Sequence, residues 1–460
     1  MVRCPTARLL LAALTLSGAL PASGAESLIE VYQRALQSDP VIREAEAVYL
    51  AALEASPQAR SAILPQLNLT GGYSDTSSES NSTFPLPDST GVIVNRPNVS
   101  ELESDTFSWQ LQLTQTLFRW DQFVALNQAE KRVSQAGANY EAAKQLLLLR
   151  VGDSYFDVLA AEDTLSSEVG AREAIGRQLE QAEKRFEVGL IAITDVQEAK
   201  AAYDLAIASE IAAKRALATA KEAMREITGE YIQELAFPTD QLPLNRPEPA
   251  DEQAWVDTAY DQNLALIASR LGAEIASDDV RSRRSGYFPT LDLVASRSDR
   301  DTDAFRTNNG LGGPADSDSV DDTISLQFSV PLFAGGFTSS RVREAVYQHR
   351  AAREALERVA RETERLTRDA YLGVLSEISR VQALRQALES SATALKATEA
   401  GFEVGTRTTV DVLAARRTLL QAETNYARSR YDYILNVLRL KQAAGILNVE
   451  DLEEVDDWLE

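Results

Sequence analysis

The sequence predicts a mainly α-helical, internally duplicated chain whose four β-strands complete a membrane β-barrel only together with other copies. Three observations predict it. Two proline-free blocks are dense in helix formers, four short segments alternate apolar and polar residues in paired positions, and one stretch is written twice. The copies are RFEVGLIAITDVQEAK from Arg185 and GFEVGTRTTVDVLAAR from Gly401.

The chain opens as an export signal. Arg3 and Arg8 form a short basic region, Leu9 to Leu20 an apolar run, and PASGA a small-residue cleavage site, which places the cut after Ala25. The run is about twelve residues, short of the roughly 20 that a membrane-spanning helix needs. Cys4 precedes that run and leaves with it, so the exported chain has neither disulfide nor thiol chemistry.

Composition excludes several function classes. Loss of Arg3 and Arg8 leaves 44 basic against 69 acidic side chains, a net charge of −25, where a nucleic-acid partner needs a basic face. One histidine, His349 in a charged helical stretch, and Met224 leave no metal cluster or imidazole catalysis. No nucleophile with a base and no phosphate loop is present; GLGG at 310–313 is a lone glycine cluster in an acidic loop. Neither an enzyme nor a bound cofactor or metal is expected. After the signal no run of 18 apolar residues occurs, so a helical membrane span is not expected either.

Each element follows from local chemistry. Prolines are absent between Pro97 and Pro238 and after Pro331, and both stretches are rich in Ala, Leu, Glu, Arg and Gln. They predict long helices over about 122–187 and 338–403 and shorter partners over about 194–229 and 408–444. The apolar stripe steps by three and four through Val196, Ala199, Tyr203, Ala206, Ala213, Leu217, Ala220, Met224 and Ile227. The second copy has Val412, Ala415, Leu419, Ala422, Tyr426, Ser429 and Tyr433, also coiled-coil spacing.

Strands are predicted at about 65–75, 106–118, 289–299 and 322–333. In the second, Trp109, Leu111, Leu113 and Leu117 oppose Gln110, Gln112 and Thr114. In the fourth, Ile324, Leu326, Phe328, Val330 and Leu332 oppose Ser325, Gln327 and Ser329. Period two over about ten residues is the length of a tilted membrane strand. The polar links 76–105 and 300–321 read as outward-facing loops.

LPQLNL near Pro65 answers FPTLDL near Pro289, TLF at 116–118 answers PLF at 331–333, and Phe186/Phe402, Gly189/Gly405 and Asp195/Asp411 stay in register. The organisation is a signal (1–25), a first repeat (26–229), a linker (230–250), a second repeat (251–445) and a tail (446–460). Four strands leave two open edges, which lipid does not tolerate. Closure by two, three or four copies satisfies the edges, and three or four leave a pore.

The signal, the paired hairpins on very long helices, VGLIAITDVQ and VGTRTTVDVL together resemble the TolC family of outer-membrane exit ducts over essentially the whole exported chain. The resemblance implies a homotrimer sharing one 12-stranded barrel that continues into an α-helical tunnel across the periplasm, with 230–250 and the tail after Gly445 at its equator. It implies outer-membrane lipid around the barrel. It also implies a periplasmic adaptor (membrane fusion) protein that links the duct to an inner-membrane pump or ABC transporter, for efflux or type I secretion.

The duplicated turns carry the candidate site. Gly189 and Gly405 suit a left-handed helix C-terminus. Asp195 and Asp411 either simply start the following helices, where a carboxylate is favoured, or act at the tunnel entrance. Arg407 has no such structural need, and its counterpart is Ile191. The resemblance implies that links corresponding to Asp195 and Arg407 close the entrance and that Asp411 forms an acidic ring. Where the family's closing network has a tyrosine this chain has Phe402, and a second entrance aspartate is Ala414, so fewer polar links are expected. The tips Val188-Gly189-Leu190 and Val404-Gly405-Thr406 match the family's adaptor contact, unless their apolar side chains merely fold back. A periplasmic or secreted coiled-coil scaffold without channel activity is the alternative; it explains the helices but not the strands. The acidic composition points to cation preference.

Overall fold

The structure, a computed structural model, describes residues 25–239 and 242–459. The expected signal peptide other than Ala25, Cys4 included, lies outside the described residues.

β1 (Gln66–Pro87) pairs antiparallel with β2 (Ile93–Phe118), and β2 with β3 (Thr290–Asn308). The other edge of β3 takes β4 (Leu311–Pro314) and β5 (Ser317–Ser329). Phe305↔Pro314 runs on into Thr302↔Ser317 without a shift, so β4 and β5 are one fourth strand interrupted at 315–316. The outer edges of β1 and of β4 and β5 have no strand partner among the described residues.

The segments 76–105 and 300–321, expected as loops, are largely strand. Ser, Thr, Asn and Asp occupy both faces there, so the hydrophobic period disappears. The main-chain ladder does not depend on it and runs on to Pro87↔Ile93 and Asn308↔Leu311. Only the tips turn: Asp88 Oδ1 accepts from the N–H groups of Thr90 (2.8 Å) and Val92 (3.1 Å). The last strand stops at Ser329 rather than 333 because Pro331 has no N–H for the ladder.

The two helix-forming blocks become α4 (Trp120–Glu187, 68 residues) and α8 (Phe337–Glu403, 67 residues). Each is roughly 100 Å long at about 1.5 Å per residue. α5 (Ile193–Thr228) and α9 (Thr409–Ala444) return alongside them. Before the hairpins come α1 (Leu28–Ser38), α2 (Pro40–Leu53) and α3 (Ala55–Ser61) in one half, α6 (Glu252–Gln262) and α7 (Leu264–Arg284) in the other. α2 and α7 flank the sheet-proximal part of α4, where Tyr49 stacks on Tyr140 at 5.5 Å and Lys131 Nζ meets buried Asp278 at 2.8 Å. Farther out α5 takes over, with Lys221 binding Glu162 at 2.8 Å. Small residues permit the close approach: a Cβ on Gly176 would stand 3.1 Å from the Tyr203 ring. Val196, Ala199, Ala206, Ala213 and Met224 are buried on the α5 stripe, as are Val412, Ala422, Ser429 and Tyr433 on α9.

The main apolar core lies at mid-height. Tyr155, Phe156 and Leu159 of α4 pack with Ile434, Leu435 and Leu438 of α9, Leu28 and Val31 of α1, and Leu452 and Val455 of α10 (Val449–Asp456). Two buried polar groups there are paired, as a low-dielectric interior requires. The Tyr155 hydroxyl donates to the Ala236 carbonyl at 2.7 Å, and the Leu28 N–H donates to Asp456 Oδ1 at 2.8 Å.

Candidate functional site at the helical tips

Both long helices end in the same way. After α4 and α8 the backbone turns through Gly189 and Gly405, at φ 75° and 80°, where a Cβ would be strained. The Leu190 N–H returns to the Arg185 carbonyl and the Thr406 N–H to the Gly401 carbonyl, both at 2.8 Å, satisfying carbonyls the helix leaves open. Val188, Leu190 and Val404 do not fold back: they are 70, 73 and 75% exposed.

The following helix starts differ. Thr408 and Asp411 form a complete capping box, in which Thr408 Oγ1 accepts from the Asp411 N–H at 3.3 Å and Asp411 Oδ2 accepts from the Thr408 N–H at 2.9 Å. These bonds from Thr408, and secondarily the charge of Arg407, hold the Asp411 carboxyl below its ordinary range. The first tip has only half of this arrangement, because Ala192 offers no acceptor and Asp195 Oδ2 merely accepts from the Ala192 N–H at 3.3 Å.

The two tips meet through Arg185, whose guanidinium lies 4.6 Å from the centroid of the Phe402 ring. Arg407 is exposed, and among the described residues no hydrogen bond or ion pair joins it to Asp195 or any other side chain of the same chain. Its stem instead lies over Gly401, where a Cβ would come 2.8 Å from Arg407 Cγ. Sequence reasoning missed Arg185 and Gly401. The signal was in the repeat itself: each copy has one arginine, at the first position in RFEVGLI and at the seventh in GFEVGTR, with Gly401 vacating the space that Arg407 crosses.

At the other end, register sorts the sheet into two faces. Leu67, Leu69, Tyr73, Phe107, Leu111, Leu113, Ile324, Leu326 and Phe328 share one face, and all but Leu113 are at least 37% exposed. Gln66, Asn68, Thr70, Gln110, Gln112 and Thr114 occupy the other. An exposed apolar belt on one face of a sheet, set on long helices, defines an outer-membrane channel protein, and a free coiled-coil scaffold gives that belt no counterpart.

The chain belongs to the outer membrane efflux protein family, whose model matches residues 31–230 and 255–446. It is 38% identical to the outer membrane protein TolC of Vibrio cholerae over 436 residues, 95% of this chain and 94% of that one. It is 27% identical to the alkaline protease secretion protein AprF of Pseudomonas aeruginosa over 93% of this chain and 86% of that protein. In fold it is similar to the solved CmeC outer membrane channel of Campylobacter jejuni, with a TM-score of 0.74, 16% identity, and coverage of 100% and 98% of the two chains.

Proposed function

We propose that three copies close one 12-stranded barrel and an α-helical tunnel. The assembly is a passive duct, catalysing no reaction, that conducts efflux or secretion cargo handed over through a periplasmic adaptor by an inner-membrane pump or ABC transporter. The observation that carries this reading is the pair of open sheet edges on a strand set with an apolar outer face. An unpaired edge in lipid costs several kcal/mol per orphaned group, and further copies remove it. The lateral helix faces support the same assembly: Val48 and Leu50 of α2, Leu205 and Ile211 of α5, and Leu366 and Leu372 of α8 are all exposed in the single protomer. Residues 230–250 and the tail from Ile446 would then form the equatorial belt, since Ile232, Leu235, Leu447, Leu452 and Val455 pack in the mid-height core.

The entrance is gated at the tips. Arg407, with no ion pair or side-chain hydrogen bond among the described residues of its own chain, is placed to link the hairpin of the adjacent copy at Asp195, while Arg185 on Phe402 holds the two hairpins of one copy together. Three copies of Asp411 make an acidic ring at the axis. The exposed Val188, Leu190, Val404 and the turn residues Gly189, Gly405 and Thr406 form an apolar tip suited to an adaptor's helical hairpin. Exposed ion pairs contribute only about 0–1 kcal/mol each, so closure sums small links over three protomers.

Single-channel recording in planar bilayers tests this reading. Wild type should give a small pore blocked by divalent or trivalent cations from the tip side, and Arg407→Ser a wider one. Equal conductance in the two proteins would remove Arg407 from the gate, and no channel from membrane-inserted protein would overturn the duct.

A further inference from the structure

The sheet register also partitions the charges of the strands, and the two faces come out opposite in sign. The apolar belt marks the lipid-facing side in the lower part of the sheet. The same side continues upward as the more exposed one: along β2, Glu101, Glu103, Asp105 and Phe107 are exposed, whereas Leu102, Ser104, Thr106 and Ser108 between them are half-buried on the opposite side, which a barrel closed with the belt outward would make concave. The convex face above the belt is acidic. Besides the three acids of β2 it carries Asp299, Asp301 and Asp303 of β3, and Arg297 is its one cation among the described strand residues. The overall excess of acid is therefore concentrated, in this part of the molecule, where cargo does not pass.

The concave face has the reverse balance. Arg300 lies opposite Ser108, Arg306 opposite Leu102, and Arg96 is itself on β2, so the three stand at β2 levels 108, 102 and 96. Steps of six residues are roughly 20 Å along a strand at about 3.3 Å per residue. None of the three is in an ion pair among the described residues. The acids of that face are Asp321, opposite Ser298, and Asp292, which is spent on Arg119 at 2.8 Å. The highest rung, Arg96, stands just above the second hairpin's tip, where Asn309 bonds to Val99 at 2.8 Å.

We infer that the outer half of the duct is an anion-attracting exit, in which Arg96, Arg300 and Arg306 from each copy form three successive guanidinium rings. The inference rests on the barrel reading above. The rings would draw small anions and the anionic groups of cargo toward the external mouth, opposite in sign to the Asp411 ring at the entrance. A Debye length of about 8 Å at physiological salt keeps rings so spaced independent, while about 30 Å at 0.01 M salt merges their fields, so the preference strengthens as salt falls. Opposite charge at the two ends also makes the pore electrically asymmetric, and the current should rectify.

The test is the chloride-to-potassium permeability ratio, from reversal potentials of the full-length channel in a KCl gradient at low salt. Arg96→Ser/Arg300→Ser/Arg306→Ser should lower that ratio by about twofold or more and flatten the rectification. The single Arg300→Gln should move it part of the way, which keeps the test sound where the triple variant does not assemble. Glu103→Gln/Asp105→Asn, on the convex face, should leave the ratio unchanged. An unchanged ratio in conducting arginine variants, or a shift caused by the convex-face variant instead, overturns the inference and leaves the duct standing. Absence of conductance from every protein, wild type included, overturns the barrel and this inference together.

Discussion

The Arg185 guanidinium lies 4.6 Å from the centre of the Phe402 ring, joining the end of α4 to the end of α8 at the tip of the molecule. A cation over an aromatic face contributes about 0.5–1 kcal/mol at an exposed site. In the proposed trimer three such contacts would contribute on the order of 2 kcal/mol, and about 1.4 kcal/mol is tenfold in a population. Arg185→Ala should raise the open probability of single channels by about tenfold. Phe402→Ala should do the same, and the double variant should add little. Full additivity would mean that the two residues act apart.

Gly401 and Arg407 are coupled by space. A Cβ at 401 would approach Arg407 Cγ to 2.8 Å and Thr406 Oγ1 to 3.2 Å. Gly401→Ala should displace the Arg407 side chain and widen the pore, as is expected of Arg407→Ser. In an Arg407→Ser background the same change should leave conductance unaltered and stabilise the end of α8 by about 0.5–1 kcal/mol, the helix advantage of alanine over glycine. Conductance and thermal midpoints of the four proteins check both halves.

The Asp411 carboxyl is held below the ordinary aspartate value of 3.8, first by the Thr408 N–H and hydroxyl. A depressed folded-state pKa stabilises above the unfolded value, and that contribution is lost as pH falls through the folded one. Cation block from the tip side should thus survive acidification to the ordinary aspartate range and vanish only below it. Thr408→Ala removes the hydroxyl and should move the loss of block to higher pH. Titrating block against pH in both proteins measures the difference.

Tyr155 donates its buried hydroxyl to the Ala236 carbonyl, anchoring the chain at Ala236 to α4. Tyr155→Phe leaves that acceptor unpaired and should cost about 1–3 kcal/mol. The thermal midpoint in detergent should fall while unit conductance stays unchanged; a conductance change would place Tyr155 in the conduction path.

The sequence by itself determined the duplication, the long helices, the four strand cores and the turns at Gly189 and Gly405. Each rests on a short-range property: a period of 3.6 or 2, a run without proline, a glycine where φ is positive. The tertiary structure decided what depends on partners distant along the chain. Residues 76–105 and 300–321 read as loops because polar residues on both faces erase the hydrophobic period, yet ladder bonds to neighbouring strands make them sheet. Arg185 reaches Phe402 across more than 200 positions, so no local pattern announces it. Glu103 and Arg306 fall within those two segments, so no period in the sequence places them on a strand. Only the register of β2 on β3 puts the two on opposite faces of one sheet.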